Sequence, residues 1–138
     1  MSNNMGTFRT AVRLENHLRR GIFADLPSVM VDTGSEATWA PREQLDALGI
    51  APVKRVRFRL ADGRAVERDA GYAIVHVGDV QTSDDVIFAE AGDMVLLGAR
   101  TLEGLNLRVD PVRHVLVDAG PVDAARVRAD PVVALASE

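Results

Sequence analysis

The residues best suited to chemistry in this chain stand together at Asp32-Thr33-Gly34-Ser35. A carboxylate can take or give a proton, the Thr33 and Ser35 hydroxyls can donate and accept hydrogen bonds, and Gly34 permits a tight turn. The short apolar run Val29-Met30-Val31 leads directly into Asp32, so a buried strand would deliver the carboxylate at its end. Two readings compete for Asp32. One is a general acid–base group; the other is a turn aspartate that caps its own loop, common wherever Asp-x-Gly occurs. The apolar approach favours the first.

Other chemistries find little support. The chain has no cysteine, which removes disulfides, thiolate metal sites and cysteine nucleophiles together. His17, His76 and His114 are widely separated and share no metal-ligand spacing, so each is expected at the surface or a sheet edge. No glycine-rich phosphate loop is present. A formal charge of −4 gives no general attraction for phosphates, so nucleic acid is not an expected partner.

No apolar run approaches the roughly 20 residues that span a bilayer. The start Met1-Ser2-Asn3-Asn4-Met5-Gly6 lacks the charged and apolar parts of a signal peptide, so the expectation is a cytoplasmic protein with no membrane partner. The 138 residues suit one domain, and because aromatics make up only 4%, Val, Leu, Ala and Ile must fill the core.

The elements that would position Asp32 are mostly strands. Phe8, Thr10, Val12 and Leu14 alternate with Arg9, Ala11, Arg13 and Glu15, the period of a half-buried strand. Ile22-Phe23 and Val29-Met30-Val31 read as a second strand or a broken pair running into Asp32. Pro41 before residues 42–48, with Gly49 beyond, has the proline start and glycine stop of a short helix. Val56, Phe58 and Leu60 alternate with Arg55, Arg57 and Arg59 up to Asp62-Gly63, and alternation resumes as far as Val77, which predicts a long hairpin turning at Asp62-Gly63. The three arginines occupy one face and are expected to be solvated.

Further strands are expected over 80–88, 94–97, 105–109 and 112–117, with a short helical turn within 98–104 and a turn at Asp110-Pro111. The class is mainly β. The domain is expected to span residues 1–117, with a loosely attached tail over 118–138 that is rich in Ala, Asp and Pro.

These residues resemble a family. Val31-Asp32-Thr33-Gly34-Ser35 with Trp39 and Pro41 is similar to the active-site signature of aspartic peptidases, and Val95-Leu96-Leu97-Gly98-Ala99-Arg100-Thr101-Leu102 is similar to the apolar-apolar-Gly segment before the terminal helix of retropepsins. The likeness covers roughly residues 7–117. It implies a retropepsin-like closed barrel with one or two short helices and an active site at a homodimer interface. It also implies an aspartic endopeptidase whose catalytic residue is Asp32, supported by Thr33, Gly34 and Ser35, with Leu60, Ala61, Asp62 and Gly63 as the flap over a peptide or protein substrate.

Peptide hydrolysis without a metal needs one carboxylate to deprotonate water and another, protonated, to polarise the carbonyl. The chain holds one Asp-Thr-Gly, so the resemblance implies that the second Asp32 comes from another copy, and no cofactor is implied. Thr33 would bond across to the partner loop, and Ser35 is expected to donate its hydroxyl to the Asp32 carboxylate, favouring the charged form and an acidic optimum. Trp39 is expected to pack. Glu36 is a candidate to pair with an arginine at the base of the dimer.

Departures from the family pattern are the tip Ala61-Asp62-Gly63-Arg64 in place of a glycine-rich one, and Ala99 where retroviral enzymes carry arginine, with Arg100 one position later. The alternative reading is a catalytically silent dimeric module that binds peptide or protein on the same fold. A processing enzyme confined to one partner protein is a third.

Overall fold

The first strand, β1 (Thr7–Glu15), buries Val12 and Leu14 and exposes Arg9, Ala11 and Arg13, as its alternation requires. The structure is a computed structural model and describes residues 7–123. β1 pairs antiparallel with β2 (Phe23–Asp32), a single strand where the sequence left open a broken pair. The interruption survives as a bulge. Thr10 faces Val29 and Val12 faces Leu26, so Pro27 and Ser28 oppose Ala11 alone. Proline, which has no N–H to give, sits where the ladder is already broken. Arg9 holds the bulge, its Nε donating to Ser28 Oγ at 2.7 Å and its Nη2 to the Ser28 carbonyl at 3.0 Å.

After β2 come β3 (Thr38–Pro41), α1 (Arg42–Ala47), β4 (Lys54–Arg59), β5 (Ala65–Val77), β6 (Val80–Ala89), β7 (Leu96–Leu97), α2 (Ala99–Leu105), β8 (Leu107–Asp110) and β9 (Val115–Asp118). Strands hold 53% of the described residues and helices 11%, which makes the chain mainly β with two short helices. Pro41 is the N-cap of α1, and Gly49 follows its end at φ 75° with its N–H on the Asp46 carbonyl, as the sequence signals predict.

Seven strands form one sheet in the order β1-β2-β7-β3-β6-β5-β4. β1 also meets β5, pairing Arg13, Leu14 and Glu15 with His76, Val75 and Ile74. The sheet therefore curls back on itself, but only these three residue pairs join its two sides and β4 ends the sheet. The closed barrel expected from the sequence is incomplete in this respect.

Two parallel pairings create the region around Asp32. β2 runs beside β7 through Met30 with Leu96 and Val31 with Leu97, and β3 runs beside β6 from Thr38 with Val86 to Pro41 with Ala89. Val31, Leu97, Val86 and Phe88 are fully buried there, in a core of aliphatic residues with Phe88 as its one large aromatic.

Boundaries near the end differ from expectation. β7 covers only Leu96 and Leu97, and Leu105 belongs to α2. β9 starts at Val115 and not at 112, because the Asp110 carboxylate captures the N–H groups of Val112 and Arg113 at 3.0 and 3.1 Å and holds them in a turn. The chain stays attached past 117: Ala119 N–H donates to the Asn106 carbonyl and Asn106 Nδ2 to the Gly120 carbonyl. The rest of the expected tail, residues 124–138, lies outside the described residues, as does the start at 1–6. Among the described residues no helix is long and apolar enough to cross a membrane.

Candidate active site

β2, half-buried along its length, ends by delivering Asp32 from the buried Val31 onto a tight turn. The Gly34 N–H donates to Asp32 Oδ1 at 2.9 Å, and the Ser35 N–H donates to the Asp32 carbonyl at 3.1 Å. Asp32 thus does cap its own loop, and the residue remains partly exposed. Thr33 and Gly34 are exposed at the turn. Ser35 departs from expectation: its hydroxyl donates to the Ala37 carbonyl at 3.0 Å and not to Asp32. The serine braces the loop's exit, and because a hydroxyl has one proton, none is left for Asp32.

The loop is anchored on the start of α2. Ala99 N–H donates to the Ser35 carbonyl at 2.7 Å and Arg100 N–H to the Glu36 carbonyl at 3.1 Å. Gly98 makes this approach sterically feasible. A Cβ at Gly98 would lie 2.6 Å from the Ala37 carbonyl carbon and 2.9 Å from the Glu36 oxygen. Its φ of −95° suits any residue, so glycine is needed there for closeness and not for conformation.

A cleft of about 780 Å³ opens beside Asp32, roughly twice the size of the clefts of about 390 and 400 Å³ elsewhere on the surface. Ser35 and Glu36 continue its floor, Trp39, Met94 and Leu96 form a wall, and the β4–β5 hairpin supplies Phe58, Leu60, Ala61 and Val66 from above. Trp39 packs its ring against Phe58, with centroids 4.8 Å apart, so the hairpin rests on β3 by an aromatic contact.

At the hairpin tip Leu60 N–H donates to the Arg64 carbonyl and Gly63 N–H to the Leu60 carbonyl, at 2.7 and 2.9 Å. Residues 61–63 form a three-residue loop with Gly63 alone at positive φ, 91°, in place of a two-residue Asp-Gly turn. Asp62 Oδ1 instead accepts the Arg64 N–H at 2.9 Å. That bond and the Arg64 guanidinium hold the Asp62 carboxyl below the usual carboxylate range.

Ion pairs tie the hairpin's root. Arg68 makes a two-pronged contact with Asp93, at 2.7 and 2.9 Å, and Asp93 also accepts the Glu90 N–H. Both side chains are about one-fifth exposed. Arg68, foremost, keeps the Asp93 carboxyl below its ordinary range. Asp69 pairs with Arg42 and Arg55. Among the described residues, Asp32 and Glu36 are the cleft carboxylates that form no ion pair. Glu36 therefore makes no intrachain arginine pair, and the Arg100 guanidinium turns instead to Asp84 and Asp85, at 3.3 Å from each. Arg55, Arg57 and Arg59 are exposed, as expected of a solvated face.

The sequence missed two features. His76 is no simple edge residue. Its Nε2 lies 2.8 Å from Glu15, whose side chain is 2% exposed and also accepts Arg20 Nε and the Gly21 N–H. These donors, Arg20 first and then Gly21, lower the Glu15 carboxyl from 4.5 to about 2. An ionised Glu15 only accepts, so His76 Nε2 carries the proton between them.

The second is a buried contact between the hydroxyls of Thr38 and Thr101 at 2.6 Å. Nothing in local spacing marks two residues 63 positions apart. Searched against known proteins, the chain matches no family model, and no curated protein matches it significantly.

Proposed function

We propose that this chain is one subunit of a homodimeric, retropepsin-like aspartic endopeptidase, in which Asp32 of each chain contributes one carboxylate to a shared dyad. The observation that carries the reading is Asp32 itself. It sits at the end of a half-buried strand just after the buried Val31, has one oxygen fixed by the Gly34 N–H, and lines a large cleft beneath a hairpin. A carboxylate needed only to hold a turn would not require that cleft. In this reading the second carboxylate comes from a copy, since the chain has one Asp-Thr-Gly, Asp93 in the cleft is engaged by Arg68, and Glu36, the remaining cleft carboxylate, stands exposed on the loop.

Like charges held close together repel, so two such carboxylates do not both ionise easily. They therefore hold one proton between them over a wide pH range. The ionised member takes a proton from a bound water while the water oxygen bonds to the carbonyl carbon of the substrate. The protonated member gives its proton to the carbonyl oxygen. The carboxyl that took the water's proton then gives it to the departing nitrogen while the other carboxylate takes a hydroxyl proton from the resulting diol, and the C–N bond breaks to leave acid and amine with the dyad restored. The Leu60–Gly63 tip, closing over an extended substrate, excludes water and offers backbone groups for strand-like pairing.

The test is digestion of a diverse peptide mixture between about pH 3 and 7 by wild type and Asp32→Asn. Cleavage that disappears in the variant supports the reading. Equal cleavage by both removes Asp32 from the chemistry, and cleavage by neither favours the silent binding module or a processing enzyme confined to one partner protein.

A further inference from the structure

We infer that Thr101 and Asp84 are positioning residues for the Asp32 loop, acting through a chain of hydroxyls whose direction is fixed at both ends. Gly98 N–H donates to Thr38 Oγ1 at 2.9 Å, Thr38 Oγ1 lies 2.6 Å from Thr101 Oγ1, and Thr101 Oγ1 donates to Asp84 Oδ2 at 2.8 Å. An amide N–H can only donate and a carboxylate can only accept. Thr38 therefore uses its proton on Thr101, and Thr101 uses its own on Asp84. Reversing either hydroxyl would set two donors or two acceptors against each other.

Both hydroxyls are shielded from solvent. Thr38 is 3% exposed and Thr101 fully buried, and no buried side-chain polar atom among the described residues lacks a partner. Asp84 is itself held on β6, its Oδ1 accepting the Asp85 N–H at 2.7 Å and Arg100 Nη2 at 3.3 Å.

The free end of the chain, Gly98, is the residue pressed against the Ala37 backbone, and the next two amides grip Ser35 and Glu36. Ser35 N–H in turn binds the Asp32 carbonyl. A rigid path thus runs from β6 through the first turn of α2 to the carboxylate, and none of its outer members touches the cleft. A dyad demands close placement, and a displacement of about 1 Å can cost about 100-fold in rate. That consequence rests on the peptidase reading; the path itself does not.

Thr101→Val preserves shape and removes both a donor and an acceptor; Thr101→Ser restores them. With the full-length protein at concentrations that saturate activity, kcat and KM are measured for each, together with amide hydrogen exchange at Ala99 and Arg100. Thr101→Val is expected to lower kcat about 10- to 100-fold with KM within about twofold, and to speed exchange of both amides at least about 10-fold. Thr101→Ser should recover both to within about threefold. A purely structural role would lower thermal stability while leaving kcat per folded dimer and the two amides unchanged, and that result overturns the inference.

Failure of serine to rescue overturns it too. If Thr101→Val does not fold, Thr38→Val and Thr38→Ser replace it. Serine keeps the hydroxyl that links Gly98 to Thr101 and should stay near wild type, valine lacks it and should lose activity, and equal behaviour of the two is contrary to the inference. Should the wild type cleave no peptide, the general peptidase reading loses its support and the exchange comparison still decides the positioning.

Discussion

Replacing Gly98 with alanine adds one methyl group where α2 begins. The new Cβ would meet the Ala37 carbonyl, standing 2.6 Å from its carbon and closer to its oxygen, and 2.9 Å from the Glu36 oxygen. All three atoms are backbone, so no flexible side chain can swing away. Relief requires the 35–37 loop to withdraw by about 1 Å, which loosens the bonds from Ala99 and Arg100 to the Ser35 and Glu36 carbonyls.

Overpacking of this kind costs about 1–3 kcal/mol, and two weakened hydrogen bonds add about 1 kcal/mol each. The lower chain entropy of unfolded alanine offsets about 0.4–1 kcal/mol, and a φ of −95° adds no strain. The net expectation is a loss of about 2–5 kcal/mol, a large share of the roughly 5–15 kcal/mol that holds a domain folded. Urea unfolding at fixed chain concentration, followed by fluorescence of Trp39, the chain's one tryptophan, reads it directly. Gly63→Ala is the control. A Cβ there meets nothing within 4 Å, so only the positive φ penalises it, by about 1–2 kcal/mol. A Gly98→Ala variant as stable as wild type would refute the steric reasoning.

Other expectations concern charge and the loop. Glu15 has its folded value depressed from 4.5 to about 2, so its stabilisation is fully present above 4.5 and is lost as pH falls through about 2. The stability advantage of wild type over Glu15→Gln should accordingly shrink on acidification from about pH 5 to 2; a constant advantage would show that Glu15 gains nothing from Arg20, Gly21 and His76. Asp93→Asn should destabilise by about 1–3 kcal/mol in the same unfolding assay, because a mostly buried Arg68 loses its two-pronged partner. No measurable change would mean that solvent replaces the pair. Ser35→Ala should leave the acidic limb of the pH–rate profile in place, since Ser35 gives its proton to Ala37; movement of that limb would restore a direct bond to Asp32.

Local signals were legible and distant ones were not. The alternation of β1, the proline and glycine that bound α1, and the hairpin around Asp62-Gly63 can each be read from neighbouring residues. So could the apolar strand that ends at Asp32. The hairpin's three-residue loop was missed because Asp-Gly also suits a two-residue turn, and the choice rests on where Leu60 and Arg64 pair. The parallel neighbours β2–β7 and β3–β6 left no mark in sequence, since such pairs join segments tens of residues apart. For the same reason Thr38, Thr101 and Asp84 passed as ordinary polar residues. Ser35 was misjudged because its hydroxyl has two acceptors in reach by sequence, and only the path of the chain to Ala37 decides between them.

The central claim, one Asp32 from each of two chains, is tested most directly by mixing subunits. Wild type and Asp32→Asn are combined in equal amounts, allowed to exchange well above the dimer dissociation constant, and assayed for peptide cleavage against the same total of wild type alone. Random pairing leaves about one quarter of dimers with two intact aspartates, so activity should fall to about one quarter. Activity of about one half would show that each chain cleaves by itself, and would contradict the shared dyad.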